Sequence, residues 1–334
     1  MAGLARVFKN KWISPPKPVT DSFEGRIVIV TGATSGIGEA AVLKFAALGA
    51  SKVVMAAQNL QKGEATKKAL TARLPRADQL EVWELDMLSY SSVALFAQRA
   101  SQLEHLDIVV LNAGVRRAAF EKSQYGWEQD LQINTLSTTL LAILLLPKLK
   151  TSKQDTGRTP VLEFVNSGLH QKAIVPAQVR HDTSILAHYN KYDNFTEHSQ
   201  YSYSKVFLMY VSRRLADDIS SQNVIITSTS PGLVMTNLGR DHYFAGIFML
   251  AFLLVFLFMR RPEQGANSII SGTIQGEILH GRFWQHDKIQ PVSTSLSGPE
   301  MKDLGDQMWH EIVQALEKDV PDIRKALEAA SLQA

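Results

Sequence analysis

Residues 27–38 read IVIVTGATSGIG, and this stretch decides the fold. Its first four residues are β-branched, which is typical of a strand buried on both faces of a parallel sheet. Three glycines follow, and an apolar helical pattern runs over residues 40–48. A strand, a glycine-rich turn and a helix form the unit that binds dinucleotides, because glycines admit the pyrophosphate and the helix N-terminus offers free N–H groups. The spacing G-x-x-x-G-x-G alone is a moderate signal, since a turn without a ligand can have it.

The composition excludes several classes of protein. The 334 residues include 35 basic and 32 acidic side chains, without a basic block, so nucleic acid is not an expected partner. The chain has no cysteine, which excludes disulfides and thiol nucleophiles and fits a reducing compartment. The histidines near residues 169–199 lack the spacing of a metal-binding pair, so we predict no metal. We predict a cytoplasmic protein.

Strand and helix patterns alternate along the chain. Further strands are predicted over residues 51–57, 80–85, 107–111, 161–165, 223–228 and within 282–292. Helices are predicted over residues 62–74, from 89, over 126–149, from 201, and over 262–280, 301–317 and 322–330. Because no linker-like composition interrupts this alternation, we predict a single doubly wound Rossmann α/β domain with a mostly parallel sheet. It spans residues 21–334 and follows a tail of residues 1–20.

Three segments do not fit the alternation. The tail lacks the apolar core of a secretory signal. A short helix with Leu4, Val7, Phe8 and Trp12 on one face would suit a membrane surface, but we favour a loosely docked tail. Residues 168–199 have weak periodicity, and a loop of this length is unusual unless it is functional, so we expect it to form a substrate wall.

The third segment is the apolar run of residues 243–259. Its 16 residues from Phe244 to Met259 span about 24 Å as a helix, which is short for a hydrocarbon core about 30 Å thick. The run is apolar nearly all round and must be covered. We favour a core or lid helix near the substrate site and leave open an in-plane membrane contact.

Polar residues at strand ends indicate how a dinucleotide is held. An acidic residue after the second strand would hold the ribose of NAD, and a basic one the 2′-phosphate of NADP. This chain has Gln58 there and Lys62 just beyond, so we favour NADP(H) and leave NAD(H) open. Asp86 ends the third strand, where it would either bond an adenine amino group or cap the helix that begins near Ser89.

The later strand ends carry groups suited to acid–base chemistry. Tyr201 and Lys205 are four residues apart and share one helical face. A phenol has a pKa near 10, which must fall by roughly 3 units for proton exchange near neutrality, and a neighbouring ammonium favours the phenolate. Ser167 follows the fifth strand and offers a hydroxyl to a substrate carbonyl. Asn134, inside an apolar helix, is either a satisfied structural amide or part of a polar site.

These residues together make the sequence resemble the short-chain dehydrogenase/reductase family over residues 25–282. The matching motifs, in the family's order, are TGATSGIG at 31–38, NAG at 112–114, Asn134, Ser167, YxxxK at 201–205, and PG at 231–232 with Val234 and Thr236. Within the family the chain looks most like retinol-dehydrogenase-like enzymes, especially fungal versions often encoded near secondary-metabolite genes. Those commonly have arginine at the position of Gln58.

The resemblance implies a role for each matching residue. Tyr201 would be the general acid in reduction and the base in oxidation, Ser167 would orient the substrate oxygen, and Asn134 would hold a water in a proton relay. Lys205 would lower the tyrosine pKa and bind the nicotinamide ribose. The implied cofactor-binding residues are Gly32, Ser35, Gly36, Ile37 and Gly38 at the pyrophosphate, Asp86 and Asn112 at the adenosine, and Val234 and Thr236 at the carboxamide; to these we add Lys62, Ala113, Gly114, Pro231 and Gly232.

The sequence therefore predicts an NAD(P)H-dependent oxidoreductase that interconverts a ketone or aldehyde and an alcohol. The substrate is expected to be an apolar molecule of medium size, such as a secondary-metabolite intermediate. A cofactor-sensing protein without catalysis is the alternative, and the complete set of catalytic residues speaks against it. A serine hydrolase is remote, because no G-x-S-x-G motif occurs. A homo-oligomer is left open.

Overall fold

Eight strands form one sheet in the computed structural model, which describes residues 2–76, 78–180, 184–236, 238, 257–292 and 299–332. The strands are β1 (Ile27–Thr31), β2 (Lys52–Ala57), β3 (Leu80–Glu84), β4 (Ile108–Leu111), β5 (Val161–Val165), β6 (Ile225–Ser230), β7 (Phe283–Gln285) and β8 (Lys288–Gln290). Their order is β3-β2-β1-β4-β5-β6-β7-β8, and only the β7–β8 pair is antiparallel. The chain reverses direction across the sheet between β1 and β4, which opens a crevice at the carboxyl ends of these strands. The predicted doubly wound Rossmann fold is confirmed.

Helices cover both faces of the sheet. They are α1 (Ala2–Trp12), α2 (Gly36–Ala47), α3 (Leu60–Thr71), α4 (Tyr90–Ser101), α5 (Gln129–Thr156), α6 (Ala177–Arg180), α7 (Ile185–Tyr189), α8 (Glu197–Asp218), α9 (Pro262–Gly272), α10 (Pro299–Glu317) and α11 (Ile323–Ala330). All five residues of β1 are buried. Ile27 and Ile29 belong to the apolar cluster under α4, α5, α8, α10 and α11, whereas Val28 and Val30 belong to the cluster under α2 and α9. This alternation explains why the β-branched run has no polar side.

Helix α5 is the longest apolar helix of the described residues. It is the one helical stretch among them that is long and apolar enough to cross a membrane, and 89% of its most apolar window is buried. The cluster of apolar side chains around it identifies α5 as a core helix of this fold.

Two predicted elements near the C-terminus differ from the structure. The helix predicted over residues 262–280 ends at Gly272, and a 3₁₀ turn over Gly276–Leu279 follows it. The last strand is instead the β7–β8 hairpin, in which His286 and Asp287 form the turn with φ of 56° and 54°. Glycine, asparagine and aspartate are the usual residues at such positions, and the pair His286–Asp287 contains no glycine, so the sequence carried only a weak hairpin signal.

The two irregular segments are more ordered than expected. The tail is the helix α1, and it is not loosely docked: Trp12 Nε1 donates to Leu257 O at 2.9 Å, and Lys17 N donates to an Asp287 carboxylate oxygen at 2.8 Å. The expected loop contains α6, α7 and 3₁₀ turns over Gly168–Gln171 and Tyr192–Asn194. These elements are shorter than the pattern needed for a prediction from periodicity. Residues 243–256 of the apolar run lie outside the described residues.

One carboxyl group lies inside the core. Glu163 occupies the middle of β5 and is fully buried. A Cβ atom at Gly272 of α9 would lie 2.5 Å from Glu163 Oε1, so any larger residue there would displace the Glu163 carboxyl group. Burial raises the pKa of Glu163 to about 8, and the Thr229 hydroxyl opposes that shift. The side chain therefore enters the folded core as the neutral acid.

We expect Glu163→Gln to flatten the pH dependence of stability. An unfolded glutamate loses its proton near pH 4.3, whereas the folded Glu163 keeps it up to pH about 8, so the free energy of unfolding falls as pH rises through this window. Glu163 contributes a slope of about 1.4 kcal/mol in the free energy of unfolding per pH unit, and the variant should lack this contribution because glutamine does not ionise. Urea unfolding between about pH 5 and pH 8 measures the difference. The exposed Glu84→Gln is the control, and parallel curves for wild type and Glu163→Gln would contradict the assignment.

Candidate active site

The β1–α2 turn forms a narrow cradle at the crevice. Gly32 and Gly36 have φ of +64° and +59°, in the left-handed region that favours glycine. A Cβ atom at Gly38 would lie 2.3 Å from Gly32 O and 2.6 Å from Asn112 Nδ2. Ser35 is the N-cap of α2 and makes no capping hydrogen bond with its side chain. The first turn of α2 and this hydroxyl can therefore meet an anionic group in the crevice, as a pyrophosphate requires.

The end of β4 is fixed against the same turn. Asn112 Nδ2 donates to Thr31 O at 2.9 Å, and Ala113 N donates to Thr31 Oγ1 at 2.8 Å. A Cβ atom at Gly114 would lie 3.0 Å from Asn134 Oδ1 and 3.7 Å from Lys205 Nζ. The small residues after β4 thus let α5 and α8 approach the crevice.

A cavity of about 630 Å³ lies along these strand ends. Most residues predicted for the site line it, and these are Gly32, Ser35, Gly36, Ile37, Lys62, Asp86, Asn112, Ala113, Gly114, Ser167, Tyr201, Lys205, Pro231, Gly232, Val234 and Thr236. Gly38 and Asn134 are not part of the lining. Gly38 packs behind the turn, and Asn134 packs behind Gly114. Both residues therefore shape the cavity by positioning the residues that line it.

Helix α8 carries Tyr201 and Lys205 to the floor of the cavity. Both are buried, and Lys205 Nζ lies 5.8 Å from the centre of the Tyr201 ring. Lys205 Nζ donates to Val165 O at 3.0 Å, which fixes the ammonium at the end of β5. Ser167 follows β5 directly, its Oγ accepts from Leu169 N at 3.2 Å, and its hydrogen bond with the Tyr201 hydroxyl lowers the tyrosine pKa. The three groups predicted for catalysis therefore meet at one place.

The protein itself favours the neutral form of the tyrosine. Burial raises the pKa of Tyr201 to about 12, which outweighs the opposing hydrogen bond from Ser167 and the positive charge of Arg116. Burial also lowers the pKa of Lys205 to about 8. The sequence analysis expected the pKa of Tyr201 to fall, but the protein side chains alone do not lower it. A neutral phenol is the form that can donate a proton to a developing alkoxide.

Asn134 is a satisfied amide that holds the cavity wall in place. It lies in the π-helical turn Gln132–Ser137 of α5 and is fully buried. Its Oδ1 accepts from Val115 N at 2.9 Å, and its Nδ2 donates to Val115 O at 2.9 Å and to Ser204 Oγ at 3.0 Å. These contacts use three of the four hydrogen bonds that an asparagine amide can make. A water-holding role for Asn134 stays a prediction.

Asp130 is a site residue that the sequence analysis missed. It precedes Asn134 by one helical turn, is fully buried, and accepts from Arg117 N at 3.0 Å through Oδ1. Burial and the nearby Glu128 raise the pKa of Asp130 to about 8. Its negative charge raises the pKa of both Tyr201 and Lys205. The only sequence signal was a carboxylate four residues before the buried asparagine.

The predicted adenosine end of the cavity combines an acidic, a basic and an amide side chain. Asp86 accepts from Gln58 Nε2 at 3.1 Å and from Leu88 N at 3.0 Å, while Ser89 is the N-cap of α4. Asp86 is therefore not the N-cap of that helix. Asp86 is the only carboxylate among the described residues that line the cavity, and Lys62 lies at the same end. Among the described residues no group of three or more His, Asp or Glu side chains could hold a metal.

The sheet order, the glycine cradle and the buried tyrosine–lysine pair define a dinucleotide-binding α/β oxidoreductase. The family model for short chain dehydrogenases matches residues 26–161. Short-chain dehydrogenase/reductase ffsI of Aspergillus flavipes is 38% identical over 326 residues, which cover 96% of this chain and 95% of that protein. Short-chain dehydrogenase/reductase phmF of Phaeosphaeria nodorum is 34% identical over 324 residues, with 96% and 95% covered. The chain belongs to the short-chain dehydrogenase/reductase family.

Solved structures agree on the fold. An uncharacterized protein from Mycobacterium paratuberculosis superposes with a TM-score of 0.64 at 23% identity, over 89% of this chain and 95% of that one. A short chain dehydrogenase from Escherichia coli CFT073, complexed with NADPH, gives a TM-score of 0.59 at 21% identity, over 81% and 100%. These levels of identity support the shared fold alone.

We expect Asp130→Asn to change the pH profile of alcohol oxidation. The wild-type carboxyl ionises near pH 8, and its charge then disfavours the Tyr201 phenolate, which is the base for oxidation. The variant should match wild type near pH 6 and be faster near pH 9, with the rising limb about one pH unit lower. The measurement is kcat/KM for an alcohol with NADP⁺ between these values. Asp217→Asn, an exposed change on α8, is the control; superimposable profiles for all three proteins would refute the coupling.

Proposed function

We propose that this protein is an NADP(H)-dependent oxidoreductase that interconverts a ketone or aldehyde and an alcohol. The observation that carries the proposal is the meeting of Ser167, Tyr201 and Lys205 at the floor of one cavity, next to the glycine cradle. The cradle suits a dinucleotide because the positive φ of Gly36 favours glycine and a Cβ atom at Gly38 would collide with Gly32 O, so the turn lets a pyrophosphate approach the backbone. A bound nicotinamide cofactor supplies or accepts the hydride.

Each side chain has a task that its position permits. The Tyr201 hydroxyl donates its proton to the carbonyl oxygen during reduction and takes it back during oxidation. Ser167 donates a hydrogen bond to the same oxygen and holds it beside the tyrosine. Lys205, fixed by Val165 O, supplies a positive charge that favours the phenolate left after proton transfer. The neutral phenol favoured by burial suits the reductive direction.

The cofactor preference rests on the adenosine end of the cavity. Gln58 donates its amide to Asp86, and Lys62 lies beside it on the first turn of α3. A lysine there attracts a 2′-phosphate, and no second carboxylate of the described lining opposes it. NADP(H) is therefore the proposed cofactor.

The substrate class follows from the other end of the cavity. Apolar side chains line it there, and these are Leu169, Leu233, Leu238 and Phe258. They suit an apolar molecule of medium size, and a secondary-metabolite intermediate fits that description.

We expect Tyr201→Phe to lower kcat by about a thousandfold, because the proton donor is lost. NADPH affinity should change little, since the ring remains in place. Tyr203→Phe is the matched control: this tyrosine lies on another face of α8, where its hydroxyl donates to Ile174 O at 3.4 Å and its ring packs 4.1 Å from that of Tyr189. A ketone panel with NADPH gives kcat, and fluorescence titration gives the cofactor Kd. Equal turnover by the two variants would refute the role of Tyr201.

We expect Lys62→Gln to weaken NADPH binding about tenfold, since it loses a charge-assisted contact to the 2′-phosphate. The Kd for NADH should stay unchanged. Lys68→Gln, an exposed change on the same helix, should behave like wild type. Fluorescence titration of the three proteins with both cofactors measures the effect, and an equal loss for NADH and NADPH would speak against phosphate recognition.

A further inference from the structure

The N-terminal helix reaches the cavity. Val7 and Asn10 lie on one side of α1 and line the cavity together with Phe258 and His286. On the other side of α1, Phe8 and Trp12 are 39% and 46% exposed, although Phe8 packs edge-on against Phe258. Helix α1 is thus a wall between the cavity and the solvent.

A buried arginine connects this wall to the rest of the site. Arg260 is 2% exposed, and its Nη1 donates to Pro231 O at 2.9 Å. Its Nη2 donates to Asn10 O at 2.8 Å and lies 2.9 Å from His286 Nδ1. One guanidinium therefore joins α1, the turn after β6 and the β7–β8 hairpin. Burial lowers the pKa of Arg260 to about 10, so the group is still charged at neutral pH.

Further contacts fix α1 and the chain that follows it. The Asn10 amide and His286 Nε2 are 3.0 Å apart, and Asn267 Nδ2 donates to Pro16 O at 3.2 Å. The first contact joins α1 to the hairpin, and the second joins the chain after α1 to α9. They add to the hydrogen bonds of Trp12 and Lys17 described above. Such a set of contacts gives α1 a defined position rather than that of a frayed terminus.

The β7–β8 hairpin, which holds α1, also contacts the segments at the catalytic end of the cavity. Gln285 Nε2 donates to Ser230 Oγ at 2.8 Å, and a Cβ atom at Gly168 would lie 3.1 Å from the same Nε2 atom. A Cβ atom at Gly232 would lie 2.8 Å from Arg260 Nη1. The residues that hold α1 therefore touch the segments that flank Ser167 and the predicted carboxamide contacts.

We propose that α1 forms the specificity-determining wall of the substrate end, with Val7 and Asn10 in contact with the substrate and Arg260 as the positioning residue. This inference rests on the proposed carbonyl–alcohol function and narrows its substrate class. Val7 and Phe258 offer an apolar surface. The Asn10 amide, whose nitrogen lies 3.0 Å from His286 Nε2, offers its carbonyl oxygen as a hydrogen-bond acceptor. The preferred substrate is a carbonyl compound with an apolar body and a second polar group remote from the carbonyl.

Two tryptophan variants test the substrate contact. Val7→Trp narrows the cavity beside α1 and should raise KM for a bicyclic ketone such as α-tetralone about tenfold. KM for the smaller cyclohexanone should stay within about twofold, because a single ring needs less of the narrowed space. The Kd for NADPH should also stay within about twofold, because the proposal assigns α1 to the substrate and not to the cofactor. The control is Ile13→Trp, since Ile13 is 68% exposed and lies outside the cavity lining. Asn10→Ala is a second, smaller change that should raise KM only for ketones with the remote polar group.

The failures of the inference and of the proposed function are distinguishable. If wild type reduces ketones and Val7→Trp behaves like Ile13→Trp, the substrate contact is refuted alone. If wild type reduces no ketone, the proposed function is refuted and the substrate contact with it. Both outcomes require that the variants bind NADPH like wild type, which the same titration establishes.

The positioning role of Arg260 has a readout that does not involve turnover. Arg260→Met should release α1, so limited trypsin digestion should cut after Lys9 or Lys11 about tenfold faster than in wild type. Arg261→Met, a change of the exposed neighbour, should leave the rate unchanged. Mass spectrometry of the released peptides measures both rates. Equal cleavage of the two variants would overturn the assignment of Arg260.

Discussion

The fold and the site depend on one close contact, between the β1–α2 turn and the end of β4. Gly38 has no room for a Cβ atom, because Gly32 O and Asn112 Nδ2 occupy that space. The same asparagine amide donates to Thr31 O, so the turn and the strand end are locked together. This lock lies at the point where the strand order changes direction, and it sets the width of the crevice. The glycine cradle at this end of the cavity depends on that contact.

A second constraint is electrostatic. Helix α8 buries an ammonium and a phenol close together, and α5 adds the buried carboxyl of Asp130. Burial is the largest cause of both pKa shifts, and it drives the two values apart: the pKa of Tyr201 rises from 10 to about 12, and the pKa of Lys205 falls from 10.5 to about 8. Asp130 then opposes the lysine shift and adds to the tyrosine shift. The site thereby keeps a neutral acid beside a positive charge, which is the arrangement that proton donation to a carbonyl oxygen needs.

The sequence predicted what depends on local pattern, and missed what depends on distant contacts. The doubly wound parallel sheet followed from the alternation of strand and helix patterns, and the gathering of Ser167, Tyr201 and Lys205 followed from motifs placed at strand ends. Helix α1 was taken for a tail, because its position depends on Arg260, which is 250 residues from Asn10 in the chain. Asp130 was missed because no local pattern tells a buried carboxylate on an apolar helix from an exposed one.

The central claim is that hydride passes between a nicotinamide and a carbonyl carbon at the Ser167–Tyr201–Lys205 site. The most direct test is to incubate the purified protein with NADPH that carries deuterium at both nicotinamide C4 positions and a panel of apolar ketones, and to analyse the alcohols by mass spectrometry. The account predicts an alcohol that carries one deuterium on the carbinol carbon, formed by wild type and not by Tyr201→Phe. Tight NADPH binding without deuterium in any alcohol would contradict the account and favour a protein that binds the cofactor without using it.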